Sequence, residues 1–363
     1  MKQQHFFFTI FLYVCAVFYL ATTTPITPHE AHLFYGSSGI VSLLMHWGDS
    51  FIGGFMGMRI FSLFFGFLSI ALFYEVSRRH FLQRADAYLA TTLFMFLPGI
   101  LTATTLANVA IIVLPLVLYF VLMYERGSLW SLPFVMLALF FIHEASIIFF
   151  AALVLYGFSN NDKKLSILAS AFFIAFIFFA KGIEIGGRPS GHFIEIFGLY
   201  ASVFSPLLFL YFFYAMYRIL LRENKTLLWY ISFTALAFSL LLSLRQRVYI
   251  TDFAPYVTIS IILMLDVFNH SLKVRLPEFQ KRYKSAFYVV VSSLVLSISI
   301  IVFHQSFFIF LKDPSTHFAH RIYDPYFLAK ALKSKGIGCY DTTRGRERYQ
   351  LKYYHINSCT NTQ

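Results

Sequence analysis

The chain has 363 residues, of which 58% are hydrophobic and 13% charged, whereas soluble domains average about 45–50% and about 25%. With 46 phenylalanines it carries more apolar surface than one folded core can hide, which excludes an ordinary soluble protein and puts most of the chain in lipid. The formal charge of +12 would suggest nucleic acid in a soluble protein, but in a membrane protein the place of each charge matters more than the sum.

Because irregular backbone cannot face lipid, apolar runs read as helices and polar breaks as loops. The first run, 6–21, follows Lys2, and the small residues after it also fit a secretory signal. An uncleaved first helix is the favoured reading, because cleavage would leave 25–35 as a loose end. That loop reads Thr24-Pro-Ile-Thr-Pro-His-Glu-Ala-His-Leu-Phe-Tyr and contains neither Lys nor Arg. Pro28 suits the first position of a short helix. Glu30, if partly buried, would be a general base; the plainer reading is that it stabilises the helix N-terminus. His29 and His32 flank it, and with Glu30 they leave a divalent cation as an open alternative, although the three are not in helical register.

The second run, 51–74, contains Arg59, which either snorkels to the surface or neutralises an anion. Runs 87–105 and 110–124 follow, with Asn108 at the turn between them. The stretch 131–158 is broken by His143-Glu144 and reads as two short helices, 131–142 and 145–158. After the run 165–180 comes a loop with Lys181 and Arg188 as further basic residues; 197–217 and 226–244 are the next runs. Arg245-Gln-Arg-Val-Tyr follows, and the forked guanidinium groups of Arg245 and Arg247, beside Tyr249, suit a phosphate. Asp252, at the start of the run 250–267, orients a polar ligand or caps a helix. The last run is 286–311.

The segment 312–363 is charged and rich in Tyr, unlike the rest. Residues 324–333 have a helical period, and Gly336-Ile-Gly-Cys-Tyr reads as a turn into a short strand. Cys339 and Cys359 are candidates for a disulfide in an oxidising compartment, worth about 3 kcal/mol; the alternative is two free thiols. Cys15 lies in the first helix, so neither a disulfide-dense scaffold nor a clustered zinc site is expected.

Cytoplasmic loops collect Lys and Arg. Eleven crossings with the N-terminus inside put most basic residues on the inner side, from Arg78, Arg79 and Arg84 through to Lys281, Arg282 and Lys284. The outer boundary then holds only five, Arg59, Lys181, Arg188, Arg245 and Arg247, and the C-terminal segment lies outside. Reading 131–158 as one crossing would invert this pattern. The expected architecture is an all-α polytopic membrane protein, with residues 1–311 as a transmembrane domain and 312–363 as a small extracytoplasmic segment.

In this frame the stretches PHEAHLFY (28–35), MRIFSLFFGFLSIALFYEVSRRHF (58–81), the turns around Pro98 and Asn108, and RQRVYITDFAP (245–255) resemble the GT-C superfamily of membrane glycosyltransferases. The likeness is greatest to the branch of protein mannosyltransferases and lipid A aminoarabinose transferases, and it covers the layout of roughly the first 270 residues. The resemblance implies an inverting enzyme that moves a sugar from a polyprenyl-phosphate donor to a glycan, lipid or protein acceptor of the cell envelope. Glu30 would be the catalytic base, and Arg59, Arg245, Arg247 and Tyr249 would hold the lipid phosphate, where negative charge develops. His29, His32, Asn108, His143, Glu144, Lys181, Arg188 and Asp252 are candidate substrate contacts.

Three positions depart from the superfamily's pattern: His29 stands where Asp is usual, Asn108 where an acid is common, and His143 with Glu144 where a basic residue is common. The expected setting is a bacterial inner membrane, with lipid, donor and acceptor as partners, no nucleic acid and no committed cofactor. A polysaccharide polymerase of the O-antigen or exopolysaccharide type is the alternative enzyme. A lipid-linked sugar transporter or flippase is the non-enzyme alternative, although such proteins favour midplane sites and paired repeats.

Overall fold

A computed structural model describes residues 1–179, 192–309 and 316–359. The predicted loop residues Lys181 and Arg188 lie outside the described residues.

The first helix, α1 (Gln3–Thr23), ends where prolines enter at Pro25 and Pro28. Thr27 then caps α2 (Pro28–Gly36) with a reciprocal box: its hydroxyl accepts from the Glu30 N–H, and the Glu30 carboxylate accepts from the Thr27 N–H. The helix α3 (Ile40–Ile52) was not among the predicted spans; it is amphipathic, with His46, Asp49 and Ser50 among its apolar residues. Gly53 and Gly54 both take positive φ, +71° and +69°, and this left-handed pair separates α3 from α4 (Gly54–His80). A Cβ on Gly57 would sit 2.9 Å from the Gly48 carbonyl, so α3 and α4 touch backbone to backbone.

Proline breaks several predicted runs. The run 87–105 is α5 (Arg84–Met95) and α6 (Pro98–Thr105), bent by 62°. The run 197–217 is α11 (Phe193–Phe204) and α12 (Pro206–Arg222), bent by 107° where Ser205 takes φ +88° before Pro206. Between these pairs lie α7 (Ala110–Glu125), α8 (Leu132–Ile142), α9 (Ser146–Ser159) and α10 (Lys163–Phe179). The chain continues through α13 (Leu227–Ser243), α14 (Ile250–Val257), a 3-10 turn, α15 (Ile261–Val274) and α16 (Pro277–Val302). The predicted break at His143-Glu144 does separate α8 from α9.

Among the described residues, four helical stretches are long and apolar enough to cross a membrane: α1, α4, Ile250–Val274 and α16, or six if each bent pair is one span. This is fewer than the eleven expected crossings, because several runs fold as short helices. At about 1.5 Å per residue, the 11 residues of α8 reach about 17 Å, roughly half of the hydrocarbon thickness.

The chain divides into two compact units. The first comprises Met1–Tyr13, Phe65–Thr102 and Val109–Ile298. Here α9 packs on α10 and α13, Phe73 stacks on Phe94 at 3.8 Å, and the Tyr200 hydroxyl meets the Ser239 hydroxyl at 2.7 Å inside the core. The second comprises Val14–Phe64, Ala103–Asn108 and Ser299–Gln363. The predicted boundary at 311/312 falls inside it. Its C-terminal part contains α17 (His320–Ser334) and α18 (Gly345–Tyr353) around Ala329, Leu332, Leu351 and Ile356. Cys339 and Cys359 form a disulfide, beside a single parallel bridge between Cys339 and Asn357. Buried Gln350 donates to the Ile26 carbonyl at 2.9 Å, which ties α18 to the segment before α2.

Candidate functional site

Local chain geometry aims Glu30 inward. Pro28 starts α2 and the Thr27 cap fixes its first turn, so Glu30 faces the interior and is fully buried. Arg59, in the second turn of α4, is fully buried opposite it. Its Nε donates to Glu30 Oε1 and its Nη2 to Glu30 Oε2, both at 2.7 Å, the bidentate geometry that suits guanidinium and carboxylate. The remaining N–H groups of Arg59 reach the carbonyls of Ala21 at 3.0 Å, Thr24 at 2.8 Å and Pro25 at 3.1 Å. Glu30 also accepts from the backbone N–H of Ala107 at 2.9 Å and of Thr27 at 3.0 Å.

These bonds use all five guanidinium donors and four acceptor positions of the carboxylate. Burial pushes the Glu30 carboxyl upward, but the Arg59 charge, the Arg59 hydrogen bonds and the two backbone N–H groups outweigh it and hold Glu30 below the ordinary carboxylate range. A proton acceptor needs a free lone pair and a phosphate ligand needs a free N–H. The observed bonds occupy both, so the roles expected of Glu30 and Arg59 from sequence require this pair to open.

Asn108 is buried, and its side-chain amide donates to the carbonyls of Ala103 at 3.1 Å and Leu106 at 2.8 Å. That closes the turn which presents the Ala107 N–H to Glu30. His29 and His32 are on the exposed side of α2, with His32 edge-on to Tyr349 at 5.9 Å. The three residues of the His-Glu-His set therefore do not converge, and no group of three or more His, Cys, Asp or Glu side chains is placed to hold a metal among the described residues.

The other candidates belong to the first unit. His143 is buried, with Nδ1 3.3 Å from the Tyr256 hydroxyl and Nε2 3.6 Å from Asp252 Oδ1. Glu144 is exposed. Arg245 and Arg247 are exposed beyond the end of α13, and Arg247 Nε donates to Glu195 at 3.3 Å. Tyr249 is exposed at the start of α14.

Sequence reasoning missed two parts of the second unit. One is the set of backbone groups around the pair, although Thr27 followed three residues later by Glu30 was a visible capping signature. The other is a cavity of 490 Å³ lined by Phe34, Tyr35, Asp49, Phe55, Lys333, Tyr353 and Tyr354, among others. It adjoins the pair through Phe55, whose ring lies 5.8 Å from the Arg59 guanidinium. Burial raises the Tyr35 hydroxyl above its ordinary value, helped by the negative charge of Asp49.

No protein-family model matches the chain, and no curated protein does so either. Its fold is similar to that of ArnT from Cupriavidus metallidurans in the apo state, at 14% identity with a TM-score of 0.53, covering 96% of this chain and 73% of that one. The same protein bound to undecaprenyl phosphate is similar at 12% identity with a TM-score of 0.59, covering 98% of this chain and 75% of that one. At these identities the likeness is one of fold: the chain is folded like ArnT.

Proposed function

We propose that the protein transfers a sugar from a polyprenyl-phosphate donor to a glycan, lipid or protein acceptor on the outer face of a bacterial inner membrane. The observation that carries this reading is the fold: its likeness to ArnT, including the form bound to undecaprenyl phosphate, runs through almost the whole chain. In the reaction, an acceptor hydroxyl attacks the anomeric carbon, its proton passes to a carboxylate, and the bond to the lipid phosphate breaks, its electron pair leaving with the phosphate. Arg245 and Arg247, with Tyr249, are assigned to phosphate binding on their chemistry alone, since forked guanidinium groups suit phosphate oxygens.

The proton acceptor in this proposal is Asp49. It is half-buried and lines the aromatic cavity, where flat rings of Tyr35, Phe55 and Tyr353 suit a sugar face. Glu30 and Arg59 act beside it as a fixed pair that shapes the cavity wall. A second reading keeps Glu30 as the base once Arg59 has moved away; its place in the first loop, in the stretch that resembles the superfamily, favours it.

Transfer from a labelled polyprenyl-phosphate sugar, normalised to folded protein, tests both readings. A folded but inactive Asp49→Asn with an active Glu30→Gln supports the first, and the reverse supports the second. Full activity in Asp49→Asn, Glu30→Gln and Arg245→Ala alike would sink the assigned mechanism.

A further inference from the structure

The second unit holds another cavity, of 400 Å³, lined by Pro28, His320, Arg321, Asp324, Pro325, Arg344, Arg346, Glu347 and Gln350. Its two carboxylates are engaged: Asp324 pairs with His320 at 3.1 Å, and Glu347 accepts from the Thr342 hydroxyl at 3.1 Å. Its three arginines are not. Among the described residues, no carboxylate lies within ion-pair distance of the guanidinium group of Arg321, Arg344 or Arg346.

The backbone adds to this positive field. Three helices present their first turns to the cavity: α2 through Pro28, α17 through His320 and Arg321, and α18 through Arg346 and Glu347. Each N-terminus carries partial positive charge, but the first turns of α2 and α17 are largely satisfied: the Glu30 and Ala31 N–H groups bond to Thr27, and those of His320, Ile322 and Tyr323 bond to the carbonyls of His317 and Ala319. The start of α18 is uncapped, because Arg344 at its N-cap makes no side-chain hydrogen bond. Forked cations and open helix N–H groups around one concave site are the arrangement that binds phosphate.

We propose that this cavity is a binding site for a phosphate monoester, distinct from the Glu30–Arg59 pair and from the aromatic cavity. Arg321, Arg344 and Arg346 clamp the phosphate oxygens, and the first turn of α18 supplies backbone N–H groups. The site requires only the geometry of the second unit and does not depend on the sugar-transfer reading. The same group is offered by a soluble phosphate compound or by a lipid headgroup such as phosphatidic acid.

The full-length protein in phosphatidylcholine nanodiscs tests this by titration with inorganic phosphate at constant ionic strength, and in parallel by adding phosphatidic acid to the discs. Thermal stabilisation and calorimetry read the binding. Arg344→Ala and Arg346→Ala, both at exposed positions, are each expected to weaken binding about tenfold, the usual effect of losing one charge-assisted hydrogen bond. Arg348→Ala, one turn further along α18 and outside the lining, serves as the charge control and is expected to leave it unchanged. A response to inorganic phosphate identifies a soluble source, and a response confined to phosphatidic acid identifies a headgroup; both support the site. No response to either, or a response that Arg344→Ala and Arg346→Ala do not weaken beyond Arg348→Ala, overturns it.

Discussion

Glu30 and Arg59 face each other through two hydrogen bonds of 2.7 Å, with both side chains fully withdrawn from solvent. Two charges pulled out of water are costly, and here the cost is offset because every donor and acceptor on the pair has a partner. Removing one member leaves the other charged and buried.

The first prediction follows from that asymmetry. Glu30→Gln and Arg59→Met should each destabilise the protein by about 3–5 kcal/mol, whereas the double variant should recover part of the loss. Chemical denaturation of the three variants checks this; strictly additive losses would show that the two side chains do not act as a unit.

The second concerns pH. The folded-state pKa of Glu30 is depressed, so its contribution is fully present above the unfolded carboxylate value of about 4.3. It is lost as pH falls through the lower folded value. Wild-type thermal stability should therefore drop on acidification below the ordinary carboxylate range, and Glu30→Gln should lack that part of the drop. Parallel melting curves across acidic pH would expose a failure as identical slopes.

The third concerns Asn108, whose amide closes the turn that offers the Ala107 N–H to Glu30. Asn108→Ala should cost about 1–3 kcal/mol through the two buried carbonyls left with poorer partners. Asn108→Asp should cost more, because it brings a second acid beside a fully occupied carboxylate. Melting temperatures ranked in the opposite order would refute this.

The fourth concerns the disulfide, which closes a sequence separation of 20 residues. Cys339→Ser with Cys359→Ser should lose about 3 kcal/mol of local stability in the C-terminal segment by releasing the unfolded chain. Limited proteolysis after α17 should accelerate, whereas α13 and α15, in the other unit, should keep their hydrogen-exchange protection.

Much of the helical layout was legible because burial in lipid forces apolar runs into helices, and the polar pair His143-Glu144 correctly marked the end of α8. Helix direction was less legible. The run 197–217 is apolar throughout, yet Ser205 in a left-handed conformation before Pro206 turns it by 107°. The amphipathic α3 escaped notice because its polar side chains interrupt hydropathy without breaking the helix. Individual residues at the candidate site stood out, because Glu30 and Arg59 are charges where charge is costly. Their pairing did not, since no local period links positions 29 residues apart. The partnership of Gln350 with Ile26, separated by 324 residues, is still further from what spacing reveals.

The reciprocal cap at the start of α2 has a further consequence. The carboxylate that accepts the Thr27 N–H is the same one that holds Arg59 and the Ala107 N–H. Exposing Glu30 to a substrate thus means unpicking the first turn of α2 and the 103–108 turn together. Chemical availability of the acid and local melting of the loop form a single equilibrium, and a ligand that drew Glu30 out would register as increased amide exchange at Thr27 and Ala107.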